Sequence, residues 1–185
     1  MELNLYKKYQ NKLRTGDLLS WSSDSVLGSL IQWFTNSDVN HSGMVIRFQD
    51  YEETDAQGRR FTLEAVRGVE LHLISRQMEG YKGSLYWHKL QDRFEDKRSL
   101  LGAVSLQYVG VDYDYSSLFK NAISRVSTNA NKLFCSEYVY LTFKQCGFSL
   151  EVTDPELIVQ LADGKAPTPA DMHKLGWWDD RIKIG

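Results

Sequence analysis

Cysteine and proline are both rare in this chain, with two and three copies in 185 residues. Two cysteines rule out a disulfide-stapled scaffold and leave no ligand set for a zinc knuckle. Cys135 and Cys146 fall within one predicted helix, where a rise of about 1.5 Å per residue separates them by roughly 16 Å. A disulfide needs Cα atoms within about 7 Å, so two free thiols are expected, with no metal and no cofactor. Long apolar runs are also missing: nothing approaches the roughly 20 residues of a membrane-spanning helix, so no integral membrane segment is expected. The opening stretch MELNLYKKYQNKLR has no apolar core ahead of a cleavage site. It does not read as a secretory signal, and a cytoplasmic protein is expected. A net charge of −2 and a pI near 6.1 supply no basic field for phosphate backbones, so nucleic acid is not an expected partner. Repeats, low-complexity tracts and linkers are absent, and residues 1–185 read as one domain.

What is present is an ordinary globular composition, 42% hydrophobic and 25% charged, sufficient for a core without staples. Strand patterns occupy Asp17 to Trp21, His41 to Phe48, Phe61 to Val66, Val69 to Ile74 and Gly83 to Leu90. Their short connections predict a mainly antiparallel sheet built from sequential neighbours. Ser23 or Asp24 caps a predicted helix carrying Val26, Leu27, Leu30, Ile31 and Phe34. The polar stretch from Gln49 to Arg60 reads as an exposed hairpin loop. Beyond Arg93 the pattern turns helical. Leu100, Leu101, Val104 and Tyr108 mark one helix, Asp114 or Ser116 begins a shorter one, and Phe134 to Gln145 forms another that Gly147 ends. Asp154-Pro155 and Thr168-Pro169 are cap-plus-proline openings of two short helices. Strands first and helices later predict an α+β fold.

Cys135 lies where the irregular segment Ser124 to Lys132 gives way to helix. A thiol there feels the partial positive charge of unpaired N–H groups, which favours thiolate. Taken alone, an inert buried cysteine is the better explanation. Cys146, in the last helical turn, reads as packing. His41 opens a strand at the sheet edge, with Gly43 on the same face leaving room beside it; closing a turn would account for it as simply. Glu64 sits between Leu63 and Ala65 but points to the opposite face, where an imidazole on the next strand would partner it. A solvent-facing glutamate is the plain alternative. His72 reads as surface, His88 as packed or hydrogen-bonded, and His173 as a helix C-terminal cation. Tyr113 and Tyr115 either line a cleft or form a capped turn.

Taken together, Gly16-Asp17-Leu18-Leu19, Asn40-His41-Ser42-Gly43-Met44-Val45 and Phe134-Cys135-Ser136-Glu137-Tyr138-Val139 resemble the YiiX/YebB-like branch of the NlpC/P60 superfamily. Leu63-Glu64-Ala65, Tyr113 to Tyr115 and Thr168-Pro169-Ala170-Asp171 extend the likeness from about residue 14 to about residue 175. The resemblance implies a circularly permuted papain-like fold, since histidine and carboxylate here precede the cysteine. It implies Cys135 as nucleophile, His41 as general base and Glu64 as third member, with Tyr113 and Tyr115 as substrate-binding residues. The implied activity is hydrolysis or acyl transfer at an amide, ester or thioester of a small acyl-lipid or peptide substrate. Cell-wall peptide cleavage and a non-catalytic lipid- or peptide-binding module are the competing expectations.

Overall fold

Side-chain alternation along short strands decides the architecture. The structure, a computed structural model, describes residues 3–23, 37–48, 59–65, 68–110, 134–164 and 166–185. The helix expected after Ser23, most of the 49–60 loop, the helix expected at Asp114 or Ser116, and both Tyr113 and Tyr115 lie outside the described residues. The described elements are α1 (Leu3–Tyr9), β1 (Leu18–Ser23), β2 (His41–Ile46), β3 (Phe61–Ala65), β4 (Val69–Leu73), α2 (Ile74–Met78), β5 (Gly83–His88), α3 (Arg98–Leu106), α4 (Phe134–Gln145), α5 (Pro155–Ala162) and β6 (Ile182–Lys183). The strands form one sheet in the order β4-β3-β2-β1-β5-β6, and every neighbouring pair is antiparallel.

Successive residues on a strand face opposite sides, and here both sides are buried. Leu18, Met44, Ile46 and Leu63 join Tyr138, Val139 and Phe143 of α4, together with Trp177 and Trp178, in one cluster. Leu19, Trp21, Val45, Leu85 and Trp87 join Tyr6 and Leu13 from the N-terminal region, and Ile74 and Met78 of α2, in the other. The arrangement is an α+β fold in which an antiparallel sheet packs against helices.

The ends of the helices follow local rules. Asp154 caps α5, its carboxylate accepting from the N–H groups of Glu156 at 3.0 Å and Leu157 at 3.3 Å, with Pro155 opening the helix. Gly147, at φ 74°, takes the left-handed conformation that stops α4. Lys97 then donates to the Cys146 and Gly147 carbonyls at 3.3 and 3.2 Å, a cation set at the negative end of the helix dipole.

Several expectations need correcting. Asp17 does not start the first strand. Its buried carboxylate instead accepts from Arg98 at 2.7 Å, Trp87 at 2.8 Å and the N–H groups of Arg14 and Leu90 at 2.9 and 3.0 Å. Four donors around an acceptor-only group hold the β1 entrance to α3 and the end of β5. Ile74 belongs to α2 rather than to the fourth strand: its N–H makes the last ladder bond, to the Arg60 carbonyl at 3.0 Å, and from there the chain turns into helix. Sheet order is not wholly sequential, since β5 pairs with β1 and not with β4. Thr168-Pro169 opens a turn, closed by Thr168 Oγ1 donating to Asp171 at 2.6 Å, and a 3-10 helix follows at Met172–Leu175. α1 and β6 had no counterpart among the expected elements.

Candidate active site

Register brings the first two groups together. Met44 pairs with Leu63 and Val45 with Thr62. Extending that antiparallel ladder by one residue sets Gly43 opposite Glu64. The glutamate therefore reaches along the strand to His41, one side-chain repeat beyond. Glu64 Oε2 accepts a hydrogen bond from His41 Nε2. A side chain at Gly43 would run into Thr62 Oγ1 and crowd Glu64. The glycine is thus needed for close approach of β3, not to make room beside the imidazole.

The thiol arrives from the first turn of α4. Cys135 lies beside His41, whose charge, with the Ser42 and Ser136 main-chain N–H groups, favours the ionised sulfur. Because the carboxylate takes Nε2, Nδ1 is the ring nitrogen left for the thiol. Ser136 Oγ donates to the Pro167 carbonyl at 2.8 Å, which ties the start of α4 to the 166–171 segment. Exposure divides the roles: the Glu64 side chain is 2% exposed and His41 24%, so the imidazole can be reached and the carboxylate is sealed beneath it.

The three groups shift one another's protonation. Burial works against a charged His41 ring, but the adjacent Cys135 thiolate and the Glu64 carboxylate outweigh it and raise the imidazole well above its ordinary value. Burial likewise pushes the Cys135 thiol up, yet the His41 charge and hydrogen bond, with the Ser42 and Ser136 N–H groups, bring it below the ordinary range. For Glu64, desolvation is overcome by His41, then by Gln77 and His72, leaving the carboxyl below its usual value. All three shifts favour the thiolate–imidazolium form of the pair, backed by a carboxylate. Glu137, further along the same helical turn, is buried, and desolvation pushes its carboxyl up to about 7. Below that pH it adds little negative charge near the thiolate.

The structure brings Cys135, His41 and Glu64 into contact as the sequence suggested. Gln77 was missed: its Nε2 donates to Glu64 Oε1, from a segment whose strand-like start concealed the turn into α2. Glu64 is buried, which removes the reading of it as a surface glutamate. Cys146 is buried in the core and its thiol is raised by desolvation. His72 pairs with Glu70 at 3.2 Å on the partly exposed β4. His88 bonds Ser20 Oγ at 3.0 Å, and burial lowers its pKa to about 3, so the ring is neutral. His173 stacks on it with ring centroids 6.0 Å apart. Desolvation, with Lys174 and Arg181, lowers the His173 pKa, which corrects its reading as a cation. These two rings line a cleft of about 480 Å³ with Val39, Trp178 and Arg181, away from Cys135. Among the described residues, no group of three or more His, Cys, Asp or Glu side chains could hold a metal ion. Nor is any helix among them long and apolar enough to cross a membrane.

Fold and site together define an α+β protein with a cysteine at a helix start facing a histidine–carboxylate pair on neighbouring strands. No protein-family model matches the sequence, and no curated protein matches it. Among solved structures, the chain is similar to the Escherichia coli O157:H7 metalloprotein yiiX, with a TM-score of 0.64 over 94% of this chain and 98% of that one. Identity is 18%, so the likeness is one of fold.

Proposed function

We propose that the protein is a cysteine hydrolase or acyltransferase of the permuted papain-like kind. What carries the reading is the position of His41, hydrogen-bonded to Glu64 and set beside Cys135. In this mechanism His41 holds the thiol proton at Nδ1, and the Cys135 thiolate attacks the carbonyl carbon of an amide, ester or thioester. N–H groups at the start of α4 receive the oxyanion. Collapse of the tetrahedral intermediate expels the leaving group, which takes a proton from His41, and leaves a thioester on Cys135. Water, or another nucleophile activated by His41, then releases the acyl group. Glu64 keeps the ring oriented and compensates its charge. The substrate is a small acyl-lipid or peptide.

The similar Escherichia coli protein is called a metalloprotein, but the residues here do not fit that role. His41 spends one ring nitrogen on Glu64 and is bonded to Cys135, so the three groups form a chain instead of converging on a shared point. No step is therefore routed through a metal.

The test is to trap the acyl-enzyme. Incubation with activated acyl esters and with muropeptides, followed by intact-mass and peptide analysis, should show an acyl adduct on Cys135 that is absent in Cys135→Ala. Turnover of muropeptides alone would move the assignment to cell-wall peptides. Saturable ligand binding with no adduct on any substrate would replace the enzyme with a binding module.

A further inference from the structure

Gln77 is a neutral polar side chain that bonds to Glu64 from outside the three reacting groups. It projects from α2, a five-residue helix whose ends, Ile74 and Met78, are buried in the cluster on the α1 side of the sheet. Its amide Nε2 donates to Glu64 Oε1 while His41 donates to Oε2, so each carboxylate oxygen has its own donor. Among the described residues, the buried amide Oε1 has no hydrogen-bond partner. A flipped amide would turn that oxygen on the carboxylate, so the Glu64 charge dictates this orientation even though it leaves an acceptor unsatisfied.

The remaining groups around Glu64 do not do this work. Glu70 lies directly opposite it on β4, a carboxylate with no hydrogen to donate. His72, on the same strand, is paired with Glu70 at 3.2 Å and acts on Glu64 only through space. The Cys135 thiolate lies beyond His41. Gln77 is therefore the uncharged donor that, after His41, supports the ionised form of this sealed carboxylate.

We infer that Gln77 is a positioning residue for the Cys135 site: it fixes the Glu64 carboxylate in rotation and in charge, and through His41 sets how readily Cys135 ionises. This rests on the proposed function, because it assigns a fourth member to the same relay. The direction follows from the chain of contacts. Without the amide donor, Glu64 holds its proton to higher pH. A neutral Glu64 supports the imidazolium less, and the thiolate loses its counter-ion.

The test uses the full chain carrying Cys146→Ala, so that only one thiol reports. Iodoacetamide alkylation is followed from pH 4 to pH 10 in the parent, in Gln77→Leu, which keeps the side-chain bulk and removes the donor, and in Gln77→Ala. The expected result is an acid limb moved upward by about half to one pH unit in both variants, the usual scale for one hydrogen bond to a charged group. A stability change without that movement would overturn the inference, since a merely structural glutamine would leave the limb in place. So would coincident profiles in all three proteins. If one variant does not fold, the other decides. A parent thiol titrating near the ordinary value of about 8.5 would remove the proposed function and the inference together. A depressed parent thiol with unmoved variants would remove the inference alone.

Discussion

The two cysteines sit at opposite ends of α4 and face opposite chemistry. At the N-terminal end Cys135 meets two main-chain N–H groups and an imidazole, which bring its thiol down despite burial. At the C-terminal end Cys146 lies among Phe143, Phe148 and Trp177 in the core, where desolvation brings its thiol up. Both are buried free thiols. Burial alone therefore says nothing about reactivity; the direction of the helix and one hydrogen-bonded partner decide it.

Substitutions at the two ends should separate them, beginning with the proposed nucleophile. Cys135→Ala should lower turnover of an activated acyl ester by on the order of 10⁴-fold or more, whereas Cys146→Ala should leave it within about twofold; steady-state kinetics on both variants read this directly. His41→Ala should lower turnover by about 10²–10⁴-fold and return the Cys135 thiol to the ordinary range or above, as measured by thiolate absorbance against pH. Glu64→Gln removes the carboxylate but keeps a hydrogen-bonding group. Turnover at neutral pH should fall roughly tenfold for each unit by which the imidazole pKa drops, with the His41 titration followed by NMR. The smallest effect belongs to the other end: Lys97→Met removes the cation from the last carbonyls of α4 and should cost about 0.3–1 kcal/mol by denaturant unfolding, with Cys135 alkylation unmoved.

The charge pair also has a stability signature. A depressed thiol contributes stability above its unfolded pKa, lost as pH falls through its folded value. A raised imidazole contributes stability below its unfolded pKa, lost as pH rises through its folded value. Cys135 is lowered and His41 raised, so their joint contribution is greatest between the two folded values. Wild type should exceed His41→Ala in unfolding free energy most in that window, with the difference shrinking on both sides.

Much of this was legible in the sequence because it depended on short-range periodicity. The bounds Phe134 and Gln145 of α4 and the stop at Gly147 follow from helical spacing and a left-handed glycine. The alternation Phe61, Thr62, Leu63, Glu64, Ala65 set Glu64 on the face away from Leu63, which its contact with His41 requires. What stayed hidden depended on pairings distant in sequence. Nothing local to Gly83–His88 says that it pairs with β1 and skips β4. Nothing local to Asp17 announces Arg98 as its partner 81 residues on. Val69 to Ile74 reads as unbroken strand, yet at Ile74, its last ladder bond made to the Arg60 carbonyl, the chain turns into the helix that delivers Gln77. Singly, Cys135, His41 and Glu64 each had an ordinary structural explanation; only contact among them distinguishes a site from three unrelated residues.

The most direct measurement of that contact is the alkylation rate of each thiol against pH in the wild-type chain, read peptide by peptide. The account predicts Cys135 reacting with an apparent pKa well below about 8.5, and Cys146 reacting slowly with a pKa above it. Equal and slow labelling of the two cysteines across the pH range would contradict it.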